Sequence, residues 1–325
     1  MTNISPNLAI GIDIGGTNSE YGIVNHRGEI LIKGKIRTDS YNTVEPYIEE
    51  LYDNLMPIIE KYSKTGNIIG IGVGAPNANY YKGIIEYAPN LRWNGIVPLA
   101  KLITEKFNLP CTLTNDANAA ALGEMIYGAA KGFKDFIMIT LGTGMGSALV
   151  CNGQLVYGQD GYAGELGHTT IIRGGRKHWK TDILGSLESY VSATGVMLTA
   201  KEMLQKSNEE SLLREYEPSQ INSRLVYDCA IKGDKIATEV YEFTGQILGE
   251  ALANFVMVTS PEAIVLFGGV IKAGDLFLHS AREHMEKNLL PLYKNKVKLI
   301  LSELNDADAA ILGASSLVWE LPQIV

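Results

Sequence analysis

Apolar residues along this chain follow two periods, and the strand-like period recurs in both halves. LAIGID, SEYGIVN and EILIKGKIR are short β-rich runs separated by GGTN and HRG, which predicts three strands joined by tight turns. In VEPYIEELYDNLMPIIEKY the residues Ile48, Leu51, Leu55, Ile58 and Ile59 stand at helical spacing, and IIGIGVGAP returns to a strand. Around Lys134 the same order restarts with FIMITLG, TGMG, SALVCNG and QLVYG. Each half therefore predicts a buried strand, a glycine turn, a second strand, a small polar turn and a third strand, an internal repeat of pattern. Farther on, VYDCAIKGDKIATEVYEFTGQILGEALANFVMVT reads as mainly helical. AIVLFGG and VKLILSEL read as strands with a helix between them, and DADAAILGASSLVW as a last helix. The expected division is a smaller N-terminal α/β lobe of residues 1–115 plus 305–325 and a larger C-terminal α/β lobe of residues 116–304. Two such lobes facing each other would bring both glycine turns to one cleft.

Composition narrows the partners. A formal net charge of -8 with no dense basic run opposes a nucleic-acid partner, whose phosphates must be neutralised by Lys and Arg. Cys111, Cys151 and Cys229 are odd in number and far apart, which suggests neither a disulfide framework nor a zinc ribbon and fits a reducing cytoplasm. The start, MTNISPNLAIGIDIGG, lacks a basic segment followed by a long apolar core. The most apolar long window, ALANFVMVTSPEAIVLFGGVI, is broken by Pro261 and Glu262 and reads as a helix end, a turn and a core strand, not a membrane span. A cytoplasmic protein bound to no membrane is the expectation.

Candidate chemistry sits at the turns. DIGGTN follows a strand directly; its paired glycines let backbone N–H groups approach an anion, the Thr17 hydroxyl adds a donor, and Asp13 could hold Mg²⁺ through water. Alone, the motif is equally a hairpin turn with an Asx contact. LGTGMGS repeats the idea at the matching place in the second half. Both turns lead into a strand instead of a helix, against a dinucleotide-binding reading, and no GKS or GKT stands where a phosphate-binding loop of the Walker kind needs it. VLFGGVI ends a buried strand with Gly268 and Gly269. TNDANAAALGE places Asp116 where a strand passes into an alanine-rich helix. Asp116 or Asn118 is an N-cap there, or Asp116 accepts a hydroxyl proton; spacing leaves both open.

DIGGTN, GVGAP, APNLRW, TNDANAAALGE, ITLGTGMGS, GELGH, SLESY and VLFGG, in this order over nearly the whole chain, resemble the ROK family of sugar kinases and sugar-responsive repressors, particularly its bacterial glucokinase-like members. The resemblance implies the actin-like ATPase (ribonuclease H-like) fold of duplicated βββαβα lobes, with ATP and Mg²⁺ as cofactors and transfer of the γ-phosphate to a hexose. Glucose giving glucose 6-phosphate is the default. It further implies that Asp13, Gly15, Gly16 and Thr17 form the first phosphate motif, that Gly142, Thr143 and Gly144 form the second, and that Gly268 and Gly269 meet the adenosine. Asp116 matches the general base, and Asn115, Glu165, His168 and Glu188 match residues that hold sugar hydroxyls. Phosphoryl transfer asks chiefly for positioning and charge neutralisation, and Asn, Glu and His side chains can satisfy several hydroxyls at once. Glu165 and His168 share a face if GELGH is a helical turn. The alternative within the family is a non-catalytic sugar sensor or repressor. Repressors carry a helix-turn-helix ahead of the first glycine motif, where this sequence has only a few residues before Leu8. Relatives are usually dimers or tetramers, so a homodimer or homotetramer is expected.

One segment departs from the family. Most members follow GELGH with three cysteines that join the histidine in binding structural zinc; the corresponding positions here are Trp179, Thr181 and Ser186. A structural site needs about four ligands, and His168 alone cannot supply them; His178 and Asp182 could substitute, but a lone His beside a Trp in a loop is more often a surface or packing residue. Structural zinc is not expected. The expected substitute is apolar packing by Trp179, Ile183 and Leu184, keeping Glu188 in the pocket. Smaller departures are Asn77, where many relatives carry Gly, and Met145, larger than is usual in the second phosphate motif.

Overall fold

The computed structural model describes residues 5–319, and they divide into two compact units. The first contains the described residues up to Gly132, residues 155–163, and those from Ser302 onward. Its sheet begins with β1 (Asn7–Ile14), β2 (Asn18–Asn25) and β3 (Ile30–Arg37), the predicted meander. Helix α1 (Val44–Tyr62) buries Val44, Tyr47, Ile48, Leu51, Leu55 and Ile59, the 3.6-residue stripe that the sequence carries. Strand β4 (Asn67–Gly74) runs parallel to β1. After it come a small sheet of β5 (Ala78–Asn79), β6 (Ile84–Glu86) and β7 (Ile96–Val97), then α2 (Leu99–Phe107), β8 (Cys111–Thr114) and α3 (Asp116–Tyr127). The main sheet order is β3-β2-β1-β4-β8.

The second unit contains residues 133–154 and 164–301. It holds β9 (Phe136–Leu141) and β10 (Met145–Cys151), joined by the second glycine turn, and the sheet is extended by the short β11 (Gln154–Leu155). Helices α4 (Glu188–Val191), α5 (Ala193–Lys206), α6 (Ser223–Ala230) and α7 (Lys235–Thr259) precede β12 (Ala263–Phe267), α8 (Asp275–Asn288) and β13 (Lys298–Leu301). The sheet order β11-β10-β9-β12-β13 repeats that of the first unit, with one antiparallel meander and two parallel strands on its other side. The duplicated α/β plan of the actin-like ATPase fold is therefore present in both sheets. The last helix, α9 (Asp306–Trp319), returns to the first unit. It lies so close to β1 that a Cβ at Gly11 would collide with the Ile311 carbonyl.

Three expectations need adjustment. The first unit reaches Gly132, past the boundary drawn at Asn115, because α3 packs on α9, with Gly123 against Gly313. The third strand expected from QLVYG is only two residues long. Beyond it Gly158 takes a positive φ of 72°, and Tyr157 stacks on Tyr80 with ring centroids 4.3 Å apart, inside the first unit. The long helical segment after Val226 is two helices: Gly233 adopts a φ of 88°, and Asp234 caps α7 by accepting from the Ala237 N–H at 2.8 Å.

Candidate functional site

In the first unit the DIGGTN turn joins β1 to β2, closed by the Gly15 N–H donating to the Asn18 carbonyl at 3.0 Å. Thr17 is exposed at its tip. Asp13 lies on β1 opposite Gly74 of β4 and Glu20 of β2. Burial pushes its carboxyl up from the ordinary 3.8 to about 7, and the negative charges of Asp116 and then Glu20 push the same way. Asp116 opens α3. Surrounding protein raises its carboxyl too, although the side chain reaches solvent; the Ala117 N–H, 2.9 Å from Oδ1, acts in the opposite sense.

The cap of α3 is neither Asp116 nor Asn118. Asn115 performs it, its side-chain oxygen accepting from the Asn118 N–H at 2.7 Å. Asp116 is thereby left at the positive end of the helix, its Oδ1 accepting from the Ala117 N–H and the N-cap role filled by its neighbour. The Asn115 carboxamide nitrogen remains to donate elsewhere. A buried carboxylate such as Asp13, whose proton affinity is raised further by the charge of Asp116, suits a divalent cation, which removes that repulsion, so the site fits Mg²⁺.

In the second unit the Gly142 N–H donates to the Gly144 carbonyl at 3.0 Å, the Ala193 N–H to the Gly142 carbonyl at 2.9 Å, and the Thr194 hydroxyl to the Thr143 carbonyl at 2.8 Å. The LGTGMGS turn is thus latched to the start of α5. Gly268 and Gly269 stand between β12 and the 3-10 turn Val270–Ala273. GELGH forms the 3-10 turn Leu166–His168, whose three-residue repeat brings His168 Nε2 to 3.9 Å from Glu165 Oε2. His168 Nδ1 is buried and finds no hydrogen-bond partner among the described residues.

Glu188 is the most constrained of the sugar-holding candidates. It is 9% exposed, and its Oε2 accepts from the Met145 N–H at 2.5 Å, inside the second glycine motif. A Cβ at Gly144 would stand 2.5 Å from the same oxygen, so only glycine leaves room for this carboxylate. Oε1 meets Nε2 of His178, which is 3% exposed. His178 Nδ1 accepts from the Lys180 and Thr181 N–H groups, each at 3.1 Å. An Nδ1 that accepts twice carries no proton, so Nε2 holds the hydrogen and donates it to Glu188.

The loop holding His178 is braced by polar contacts, which corrects the expectation of apolar packing. Ile183 and Leu184 are 36% and 50% exposed; of the three expected packing residues, Trp179 contributes apolar area, stacked on His178 at 4.3 Å. Arg176 fastens the loop to α4 and α5. Its Nε donates to Glu202 Oε1 at 2.8 Å, Nη2 to Thr199 Oγ1 at 3.1 Å, Nη1 to the Ser189 and Gly195 carbonyls, and its guanidinium lies over the Tyr190 ring. The Arg176 N–H also donates to the Tyr190 hydroxyl at 2.6 Å. Ser186, at one of the positions where cysteine was expected, pairs its hydroxyl with Ser189 at 2.7 Å. Trp179, Thr181 and Ser186 offer no thiolate, and among the described residues no group of three or more His, Cys, Asp or Glu side chains is placed to hold a metal ion. The residues at these positions do not fit a structural zinc.

The sequence profile of the ROK family matches residues 9–320. The chain belongs to the ROK family. It is 35% identical to a glucokinase of Halalkalibacterium halodurans over 95% of this chain and 94% of that one. It is 28% identical to a xylose repressor of Caldicellulosiruptor bescii, over 95% of this chain and 77% of the repressor. Among solved structures, a ROK family glucokinase from Streptomyces griseus in complex with glucose and AMPPNP superposes with a TM-score of 0.75 at 28% identity, over 95% of this chain and 98% of that one.

Against the ROK pattern, the departure at Asn77 has a backbone reason. Its φ is 52°, in the left-handed region that glycine and asparagine tolerate, and its Nδ2 donates to the Glu86 carbonyl at 2.9 Å. The Met145 side chain points into the core while its N–H serves Glu188. The sequence favours a surface or packing role for His178 and assigns none to Arg176 or Tyr190. A histidine ten residues before Glu188 was the available signal; nothing in the spacing of Arg176 announces Glu202.

Proposed function

We propose that this ROK family member catalyses ATP-dependent phosphorylation of a hexose hydroxyl, glucose being converted to glucose 6-phosphate, with Asp116 as the general base. The observation that carries the reading is Asp116 itself. It is the first residue of a helix whose N-cap is Asn115, and burial raises its proton affinity, the direction that suits a group meant to accept a hydroxyl proton. Similarity to kinases over nearly the full chain supports the reading, and the glucose in the Streptomyces griseus complex supports the choice of hexose.

In this reading the backbone N–H groups of Gly16 and Gly144 and the hydroxyls of Thr17 and Thr143 donate to phosphate oxygens, Gly15 and Gly142 close the two turns through their own N–H bonds to the Asn18 and Gly144 carbonyls, and Gly268 and Gly269 receive the adenosine. Mg²⁺, held through water by Asp13, supplies neutralisation of the phosphate charge. Asn115, Glu165, His168 and Glu188 hold hexose hydroxyls. Glu188 spends two of its roughly four acceptor positions on Met145 and His178, which leaves it able to accept from a hydroxyl without moving. Three free cysteines support a reducing compartment, the cytoplasm, and no described helix is long and apolar enough to cross a membrane.

ADP release measured with ATP, Mg²⁺ and a panel of glucose, mannose, fructose, N-acetylglucosamine and N-acetylmannosamine tests the proposal. Turnover highest with glucose is expected. A sugar that raises the melting temperature without stimulating turnover would replace the kinase reading with a sugar sensor.

A further inference from the structure

We infer that His178 is the positioning residue of the sugar-holding carboxylate: its Nε2–H tautomer clamps Glu188 and seats His168, doing with a ring what the resemblance assigns to a metal. The inference rests on the reading of Glu188 and His168 as sugar-holding residues.

Five contacts fix the ring, and they come from four directions. In its plane, Nδ1 accepts from two consecutive backbone N–H groups, those of Lys180 and Thr181. At the opposite end of the plane, Nε2 meets Glu188 Oε1. One face is covered by Trp179, with ring planes 23° apart. The His168 ring approaches edge-on, its centroid 5.5 Å away at an interplanar angle of 70°. A flipped ring would aim a C–H at Glu188, and an Nδ1–H tautomer would aim a proton at two backbone protons, so the surroundings select one orientation and one tautomer.

That choice reaches Glu188 directly. The carboxylate is held from two sides, by His178 at Oε1 and by the Met145 N–H at Oε2, so neither oxygen can rotate toward solvent. His168 is held less tightly, by the ring contact and by its place in the 3-10 turn. The polar clasp behind His178 is itself anchored: the Gly185 N–H donates to the Arg176 carbonyl at 2.8 Å, the His178 N–H donates to the Ile183 carbonyl at 2.9 Å, and Arg176 is tied to α5. A buried histidine that donates to a ligand-holding carboxylate plays the orienting part that outer groups play around a metal ligand, here with the protein backbone as the final anchor.

The test compares wild type, His178→Leu and His178→Gln. Leucine fills similar space and makes neither hydrogen bond. Glutamine offers one acceptor and one donor at a spacing close to that of the two ring nitrogens. Removing a hydrogen bond to a charged group is expected to raise the sugar KM by about ten- to a hundredfold in His178→Leu, with the ATP KM changed little and the melting temperature lowered, and His178→Gln is expected to recover most of both losses. Wild-type sugar KM in His178→Leu overturns the inference, as does a glutamine variant that folds but is as impaired as the leucine variant. Should the leucine variant not fold, nitrogen-15 NMR of the wild-type histidines decides. An unprotonated Nδ1 with a protonated Nε2 at His178 is expected; the reverse tautomer overturns the clamp. Absence of sugar-stimulated turnover in wild type would sink the proposed function, while the tautomer measurement would still report on the clamp.

Discussion

The two units each present a partly or largely buried carboxylate to the expected chemistry, and they treat it in opposite ways. Asp13 is crowded by Asp116 and Glu20 and holds a proton up to about pH 7. Glu188 is met by a donor on each oxygen. The first arrangement is electrostatically unfinished and gains by binding a cation; the second is complete before any ligand arrives. A site needs both kinds. A group that must receive a metal or a proton is useful only if its own fold leaves it wanting one, whereas a group that must present fixed acceptors is useful only if its own fold satisfies it first.

The contrast can be broken most severely at Asp116. Asp116→Asn keeps shape and removes the carboxylate proposed as base, and turnover is expected to fall by about 10²- to 10⁴-fold while sugar still raises the melting temperature; near-normal turnover in a steady-state assay would remove Asp116 from the mechanism. On the completed side, Arg176→Ala strips donors from the Ser189 and Gly195 carbonyls and from Glu202. Stability in urea is expected to drop by about 1–3 kcal/mol, together with a rise in sugar KM and little change in ATP KM.

A subtler effect separates the units by pH. Asp13 binds its proton more tightly in the folded chain, at about 7 against an ordinary 3.8, so between those values the folded state carries more protons than the unfolded one. Its contribution to stability is therefore fully present below pH 4 or so and is lost as pH rises through about 7. Melting curves without Mg²⁺ should show this decline, Asp13→Asn should flatten it, and added Mg²⁺ should raise the melting temperature more at pH 8 than at pH 6. The smallest expected effect is none. Dialysis against a zinc chelator should leave the melting temperature of the Mg²⁺-free protein unchanged, since Trp179, Thr181 and Ser186 hold no metal in this account; a drop, with stoichiometric zinc recovered, would mean that the clasp is metal-dependent after all.

The sequence made legible whatever depends on neighbours along the chain. The Ile48, Leu51, Leu55 and Ile59 stripe of α1, the two glycine turns and the strand that follows each one are statements about local period, and the structure carries them. Local punctuation was harder to weigh. Three polar residues, Asn115, Asp116 and Asn118, competed for one cap, and the winner was set by which lies just before the first helical residue. Gly233 followed by Asp234 ended one helix and began another inside a stretch whose apolar residues alone suggest continuity. Least legible was the brace around Glu188. Arg176 and Glu202 are twenty-six positions apart, and a periodic pattern tells which face of a segment is buried without telling which segment meets it. His178 was in view, but its meaning depended on two backbone N–H groups that no side-chain pattern encodes.

The make-up of the loop between Gly164 and Tyr190 also bears on where and when the protein can be active. A thiolate cluster is assembled only when metal is supplied, and oxidants take it apart by converting sulfur to sulfenic acid or disulfide. This loop contains no cysteine, and the contacts that shape it are made by nitrogen, oxygen and ring carbon. Its geometry is therefore complete as soon as the polypeptide has folded, indifferent to metal scarcity and to peroxide. Competence of this segment is set by the folding of the chain.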